Sequence, residues 1–246
     1  MNNVICLKWG PLYGPEYVNI LFHMVSRHLR APFRFICLTE DARQLEPGIE
    51  VYPLPEFEEP PWKYARFCSA WRKLALFRKG LADMQGKVLF LDLDVVITGS
   101  LDDVFSFSDK FAMIENWYQP GNGQASALCF DVGRFEFLLE RYQSDPIRYL
   151  KQYRTEQAFI AGELGNELAF FPEHWFQSFK KHCMPSAAAR LLGAQNRLPQ
   201  DAKVIVFHGR PNPPDAIKGE WGKPLPWYKR WYKRFQPTLW VAEFWR

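Results

Sequence analysis

The chain has 246 residues, 48% hydrophobic and 17% aromatic with ten Trp and 21 Phe, enough for one sizeable α/β core without an evident linker. A formal charge of +4 is too small and too dispersed for a nucleic-acid surface, and five scattered Cys with no Cys-x-x-Cys pair argue against zinc or a disulfide framework. The first residues lack a signal-peptide pattern and no apolar run approaches the roughly 20 residues of a membrane span, so a reducing cytoplasm is the expected compartment.

Val4 to Leu7 reads as a strand stopped by Lys8-Trp9-Gly10-Pro11. Tyr17, Ile20, Leu21, Met24, Val25, His28 and Leu29 recur at helical spacing, with Pro15 in the first turn. Phe33 to Leu38 and Ile49 to Tyr52 are the next strands, so the chain opens as a βαβ unit and predicts a mostly parallel sheet. Trp62 to Gly80 predicts a helix, with Phe67, Ala70, Trp71, Leu74 and Phe77 on one face and Gly80 at its end. Arg66, Arg72, Lys73, Arg78 and Lys79 stud it, most of them expected on a solvated face.

Val88 to Leu91 is apolar throughout, as in a strand buried on both faces, and runs into Asp92 and Asp94. Two unpaired charges cannot stay inside a sheet, so the pair belongs at the strand's carboxyl end, where open α/β sheets place ligands. Ser100-Leu-Asp-Asp-Val-Phe105 predicts a short capped helix. Phe111 to Ile114 and Ser126 to Phe130 read as strands around a Pro120-Gly-Asn-Gly turn. Gly133 to Tyr142 and Glu156 to Leu164 predict helices, the second capped by Thr155. Leu168 to Phe171 is a short strand, Pro172 to Gln200 has no clear period, and Val204 to Phe207 is the last strand, ending in His208-Gly-Arg210. A domain over 1–217 and an aromatic-basic tail over 218–246 are expected. Residues 221–246, with "WYKRWYKRF", suit peripheral contact with an anionic membrane surface or packing of the rings on the domain.

Three chemistries suit Asp92-Leu-Asp94. The first is a solvated strand end. The second is a haloacid-dehalogenase-type phosphatase, whose Asp-x-Asp-x-Thr/Val motif Asp92 to Val96 also fits. That motif lies near the N-terminus in such enzymes, and no later strand here ends in paired aspartates with Gly between. The third is a metal–diphosphate site, since two hard oxygen ligands suit Mn²⁺ or Mg²⁺ with a phosphate completing the shell. His208 would make a sensible third ligand, with Gly209 letting backbone approach an anion and Arg210 gripping phosphate.

Together "FLDLDVVITGSLDDVF", the loop aromatics after the first strand and the late "VFHGRP" resemble the GT-A glycosyltransferases, in particular family 8, which includes glycogenin and bacterial lipopolysaccharide galactosyl- and glucosyltransferases. The likeness spans most of residues 4 to 215. It implies a mostly parallel central sheet flanked by helices, a nucleotide-sugar donor, a carbohydrate or glycolipid acceptor, and Mn²⁺ (or Mg²⁺) held by Asp92, Asp94 and His208. It also implies a donor contact from Lys73, with Arg72 beside it, and puts Glu156-Gln157 next to the sugar. Trp9 or Tyr13 could stack on the base. If the configuration is retained, Gln157 lies against the reacting face; if inverted, Glu115, Asp131 or Glu156 is the candidate base. The sequence departs from the family where Gly209 is adjacent to His208, where Asn212 stands near the phosphate-binding Lys, and where Gln124-Ala-Ser-Ala replaces an Asn-Ser/Ala-Gly segment; the phosphate contact therefore falls to Arg210. A non-catalytic nucleotide-sugar-binding protein is the remaining alternative.

Overall fold

The computed structural model describes residues 1–60, 68–224, 226–228 and 233–246. Ten strands form two sheets among these residues. Strands β1 (Asn2–Lys8), β2 (Phe33–Thr39), β3 (Ile49–Tyr52), β4 (Lys87–Leu91), β6 (Phe111–Glu115), β7 (Gly123–Asp131) and β8 (Leu168–Phe170) make a sheet in the order β3-β2-β1-β4-β7-β6-β8. Only β7 runs against the rest. The mostly parallel α/β sheet expected from the opening βαβ pattern is the one observed.

Alternation along the buried strands divides the core in two. Val4 and Cys6 of β1, Phe35 and Cys37 of β2, and Leu89 and Leu91 of β4 face one cluster. Ile5, Leu7, Ile36, Leu38, Val88 and Phe90 face the other. The first face is covered by α1 (Pro15–His28), which starts on a proline and buries Tyr17, Val18, Leu21, Met24 and Val25. The second is covered by a 3₁₀ run over Cys68–Phe77 and by α3 (Glu136–Ser144) and α5 (Glu156–Leu164).

Several elements differ from expectation. The helix predicted from Trp62 is 3₁₀ rather than α over Cys68–Phe77, and its first turn, with Arg66 and Phe67, lies outside the described residues. Trp71, Leu74 and Phe77, spaced by three, align along one line of such a helix, which explains why all three are buried. Val95–Ile97, to which the sequence pattern assigns no element, forms β5, and the strand expected at Val204 to Phe207, β10 (Val204–Val206), pairs with it rather than joining the large sheet. The stretch after Pro172 supplies a third short strand, β9 (Phe176–Ser178), then a single π-type turn over Phe179–Cys183 and the short helix α6 (Ala187–Leu191). Helix α2 (Asp102–Ser106) starts without a side-chain cap, and α4 (Pro146–Gln152), capped by Asp145, follows α3.

The C-terminal residues pack into the body of the domain. Phe235 and Val241 are buried in the first cluster, the latter on α8 (Leu239–Phe244), after α7 (Pro213–Lys218). Trp245 packs edge-on against Tyr17 of α1, and the Arg27 guanidinium donates to the Phe244 and Arg246 carbonyls at 2.6 Å. Trp227 is 81% exposed. Among the described residues no helix is long and apolar enough to cross a membrane.

Candidate active site

The acidic pair sits where β4 leaves the large sheet and β5 enters the small one. Two residues beyond Phe90, Asp92 follows the same alternation onto the face roofed by the 3₁₀ run. Lys73 of that run, 7% exposed, lies with its ammonium 2.8 Å from Asp92 Oδ1 and 2.9 Å from Oδ2. It also donates to the Ala125 carbonyl at 2.9 Å and stands 5.2 Å from the Phe90 ring centroid. Burial acts to lower the Lys73 pKa, but the charges of Asp92, Glu156 and Asp94 outweigh it and raise the value. Lys73 thus stays charged while buried.

Asp94 is also buried. Its Oδ2 accepts the Tyr13 hydroxyl at 2.8 Å, from the loop after β1. Burial, with the nearby Asp92 charge, pushes the Asp94 carboxyl up to about 7, against the opposing effects of Tyr13 and Lys73. Burial and Asp94 together raise the Tyr13 hydroxyl well above its ordinary range. Glu156 is 5% exposed at the start of α5, where Thr155 caps the helix through Ala158 N–H. Burial raises its pKa, Lys73 opposing. Its neighbour Gln157 accepts the Ala125 N–H at 3.3 Å. The Gln124–Ser126 stretch of β7 completes this wall: Asp92 N–H donates to the Ser126 carbonyl, and the Gln124 amide brackets Ser126.

His208 arrives from the small sheet. Val206 pairs with Val95, and Phe207 N–H donates to the Asp94 carbonyl at 3.3 Å, so the backbones of β10 and the acidic pair meet. The imidazole is held elsewhere: Nε2 lies 2.6 Å from Ser178 Oγ, and the ring stacks on Trp117 at 5.4 Å. Burial, then Lys180 and His182, lower its pKa to about 4, so it is neutral at physiological pH.

Three buried or half-buried carboxylates here face one ammonium, and that surplus negative charge fits a cation between Asp92 and Asp94. The expected trio of metal ligands is not assembled, however: among the described residues no three His, Cys, Asp or Glu groups lie together as a metal site. The His208 Nε2 is instead engaged with Ser178 Oγ.

Other expectations separate as follows. The Arg210 guanidinium lies 3.1 Å from Asp215 Oδ2 and is committed to that pair. Gly209 is exposed with φ +71°, a left-handed conformation that glycine adopts freely. Tyr13 uses its hydroxyl on Asp94 and its ring on Tyr17. Trp9 is half-buried against the second cluster. Asp131 pairs in register with Lys87, at the opposite end of β4 from Asp92, which removes it as a base for this site. Glu115 accepts the Gly121 N–H at 2.8 Å. Arg72 and Arg78 line an open cleft of about 820 Å³, with Thr39, Glu40 and Leu54, over the carboxyl ends of β2 and β3; Asp92, Asp94 and Lys73 are not among its lining residues. Ser178, Trp117 and Lys180 carry no motif in the sequence; their sole signal is position beside strand ends.

No protein-family model matches the chain, and no curated protein matches it in sequence. Solved structures do. The galactosyltransferase LgtC in complex with donor and acceptor sugar analogs superposes with a TM-score of 0.57 at 14% identity, covering 86% of this chain and 88% of LgtC. An active-site mutant of LgtC gives 0.61 at 14% identity over 94% and 99%. The glycosyltransferase GlyE of Streptococcus pneumoniae TIGR4 gives 0.57 at 12% identity over 99% of this chain and 63% of GlyE. At such identity the likeness is one of architecture, and this chain has the GT-A fold of those glycosyltransferases.

Proposed function

We propose that this chain is a glycosyltransferase, moving a sugar from a nucleotide-sugar donor to a carbohydrate acceptor, free or lipid-linked. The observation that carries the proposal is the Asp92–Asp94 pair at the carboxyl end of a central parallel strand, with buried Lys73 set against it. That LgtC, with the same fold, was solved with donor and acceptor sugar analogs supports the reading.

Asp92 and Asp94 would hold Mn²⁺ or Mg²⁺, with His208, whose Nε2 now faces Ser178, as the third ligand; when bound, the cation supplies positive charge for the departing diphosphate. Lys73 orients the Asp92 carboxylate through their ion pair. Gln157, tied to the Ala125 N–H, is placed to face the sugar if configuration is retained, as the family 8 resemblance implies. Glu156 and Glu115 remain the candidate bases if it is inverted. With Tyr13 committed to Asp94, Trp9 is the better candidate to stack on the base.

The test is a panel of UDP-, GDP- and ADP-sugars with and without Mn²⁺, read by release of nucleoside diphosphate. Donor binding without release would indicate a sensor. Hydrolysis of a generic aryl phosphate with no nucleoside diphosphate released would return the phosphatase reading. Peripheral membrane contact through 221–246 belongs to the lipid-linked form of the proposal. Equal vesicle co-sedimentation by the full chain and by a version ending at Glu220 would remove it.

A further inference from the structure

Strands β9 and β10 run parallel, with Ser178 opposite Val206, so the residues that follow each emerge side by side. The end of β10 meets the acidic pair through Phe207 N–H and the Asp94 carbonyl. Whatever side chain leads out of β9 is therefore delivered to the same edge of the site. The turn over Phe179–Cys183 fixes which one. Phe179 and Cys183 are buried in the core, and Ser178 Oγ caps the turn by accepting the Lys181 N–H. Between these anchors Lys180 is turned toward the site: its ammonium donates to the His208 carbonyl and lies 3.7 Å from where a Cβ on Gly209 would stand.

Two neighbouring cations are occupied. Lys181 donates to the Trp117 carbonyl at 2.6 Å, and Arg210 is paired with Asp215. Lys180 has no carboxylate within ion-pair distance among the described residues, although its charge interacts with those of Asp94 and Lys233. An ammonium has three donors, and the His208 carbonyl takes one. The remaining two stand beside an exposed glycine that leaves room for a ligand to approach the backbone. A half-buried cation with donors to spare, repelled by the Lys233 ammonium and without a carboxylate at ion-pair distance among the described residues, is suited to a multivalent anion.

We infer that Lys180, rather than Arg210, is the residue of this chain that grips the donor's diphosphate, with the Gly209 backbone beside it. The inference rests on the glycosyltransferase reading and names the phosphate contact within it. Its test compares wild type, Lys180→Gln and Lys180→Arg. Glutamine can still donate to the His208 carbonyl but carries no charge; arginine keeps the charge. Binding of UDP, GDP and ADP is measured by calorimetry in Mg²⁺, and binding of the matching nucleoside by ligand-observed NMR. For whichever diphosphate binds wild type best, Lys180→Gln should weaken affinity about tenfold to a hundredfold, leave the nucleoside unchanged, and be largely rescued by arginine. Unchanged diphosphate affinity in Lys180→Gln overturns the inference alone. So does an equal loss for nucleoside and diphosphate, which would mark a merely structural lysine. If wild type binds none of the three diphosphates, the glycosyltransferase reading falls and this inference falls with it.

Discussion

Replacing Lys73 by Met tests the electrostatic account of the site directly. The substitution keeps an unbranched apolar stem among Phe90 and the second cluster but removes the charge that faces Asp92. The Lys73 side chain is 9% exposed and that of Asp92 24%. Breaking a buried ion pair costs about 3–5 kcal/mol because the partner is left uncompensated. Partial exposure of Asp92 and the ability of Asp94 to take a proton place the expectation near about 3 kcal/mol. In a chain of this length, that corresponds to a melting temperature about 6–12 °C lower. The loss should depend on pH. Asp94 and Glu156 have folded-state pKa values raised above their unfolded ones, so their contribution is present below the unfolded pKa and lost as pH rises through the folded pKa. Without Lys73 those folded values rise further, so the gap between variant and wild type should be widest near about pH 8 and narrow toward about pH 5. The assay is thermal unfolding in EDTA at both pH values. A gap of equal size at both, or one below about 2 °C at the higher pH, would refute the reasoning.

Asp94→Asn should abolish cation-dependent release of nucleoside diphosphate. In EDTA near about pH 8 it should melt at or above the wild-type temperature, since it removes a buried charge whose ionisation is opposed by burial and by Asp92; melting well below wild type would contradict this. Tyr13→Phe takes away the hydroxyl on Asp94, a hydrogen bond to a charged group, for an expected loss of about 1.5–3 kcal/mol. That loss should shrink on acidification, as Asp94 becomes neutral, and denaturant titration at two pH values reads it. Val241→Ala, at a fully buried position of α8, should cost about 2 kcal/mol if the C-terminal helix belongs to the core. An unchanged denaturation midpoint would separate that helix from the domain.

The parts of the fold legible in the sequence are those whose signal is local. Continuous apolar runs at Val4, Phe33 and Val88 become parallel strands because burial on both faces demands side chains apolar at every position. Pro15 and Thr155 mark helix starts by supplying a fixed φ and a side-chain acceptor. The acidic pair could be placed at a strand end because burial forbids it elsewhere. What could not be read depends on distant partners. Val95–Ile97 is a strand only because β10, far along the chain, pairs with it. Lys73 is singled out by the family resemblance alone, since the helical pattern puts the basic residues of its segment on a solvated face; its burial follows from a run in which residues 73–77 are all buried. The strand that ends in His208 meets Asp94 through the Phe207 N–H, yet the ring direction of His208 is set by Ser178 and Trp117, which no motif announces.

The arrangement has a common cause in the passage of the chain between the two sheets. Residues 92–94 lie between β4 and β5, and so belong to neither ladder fully. A carboxylate inside a ladder would be buried among apolar neighbours; one at such a seam can be buried on one side and open on the other. The seam also gathers four otherwise remote segments, because each is the terminus of a strand paired across it. The start of β7 contributes Ala125 and Ser126 through its antiparallel pairing with β4. The end of β10 contributes the His208 segment through β5, and the end of β9 contributes Lys180 through β10. The loop after β1 contributes Tyr13, because β1 is the parallel neighbour of β4 and ends at the same edge. Sheet pairing, rather than sequence proximity, therefore decides which charges meet. That is why an acidic pair recognisable in one short motif has its neighbouring cations, Lys73 and Lys180, more than a hundred residues apart in the chain.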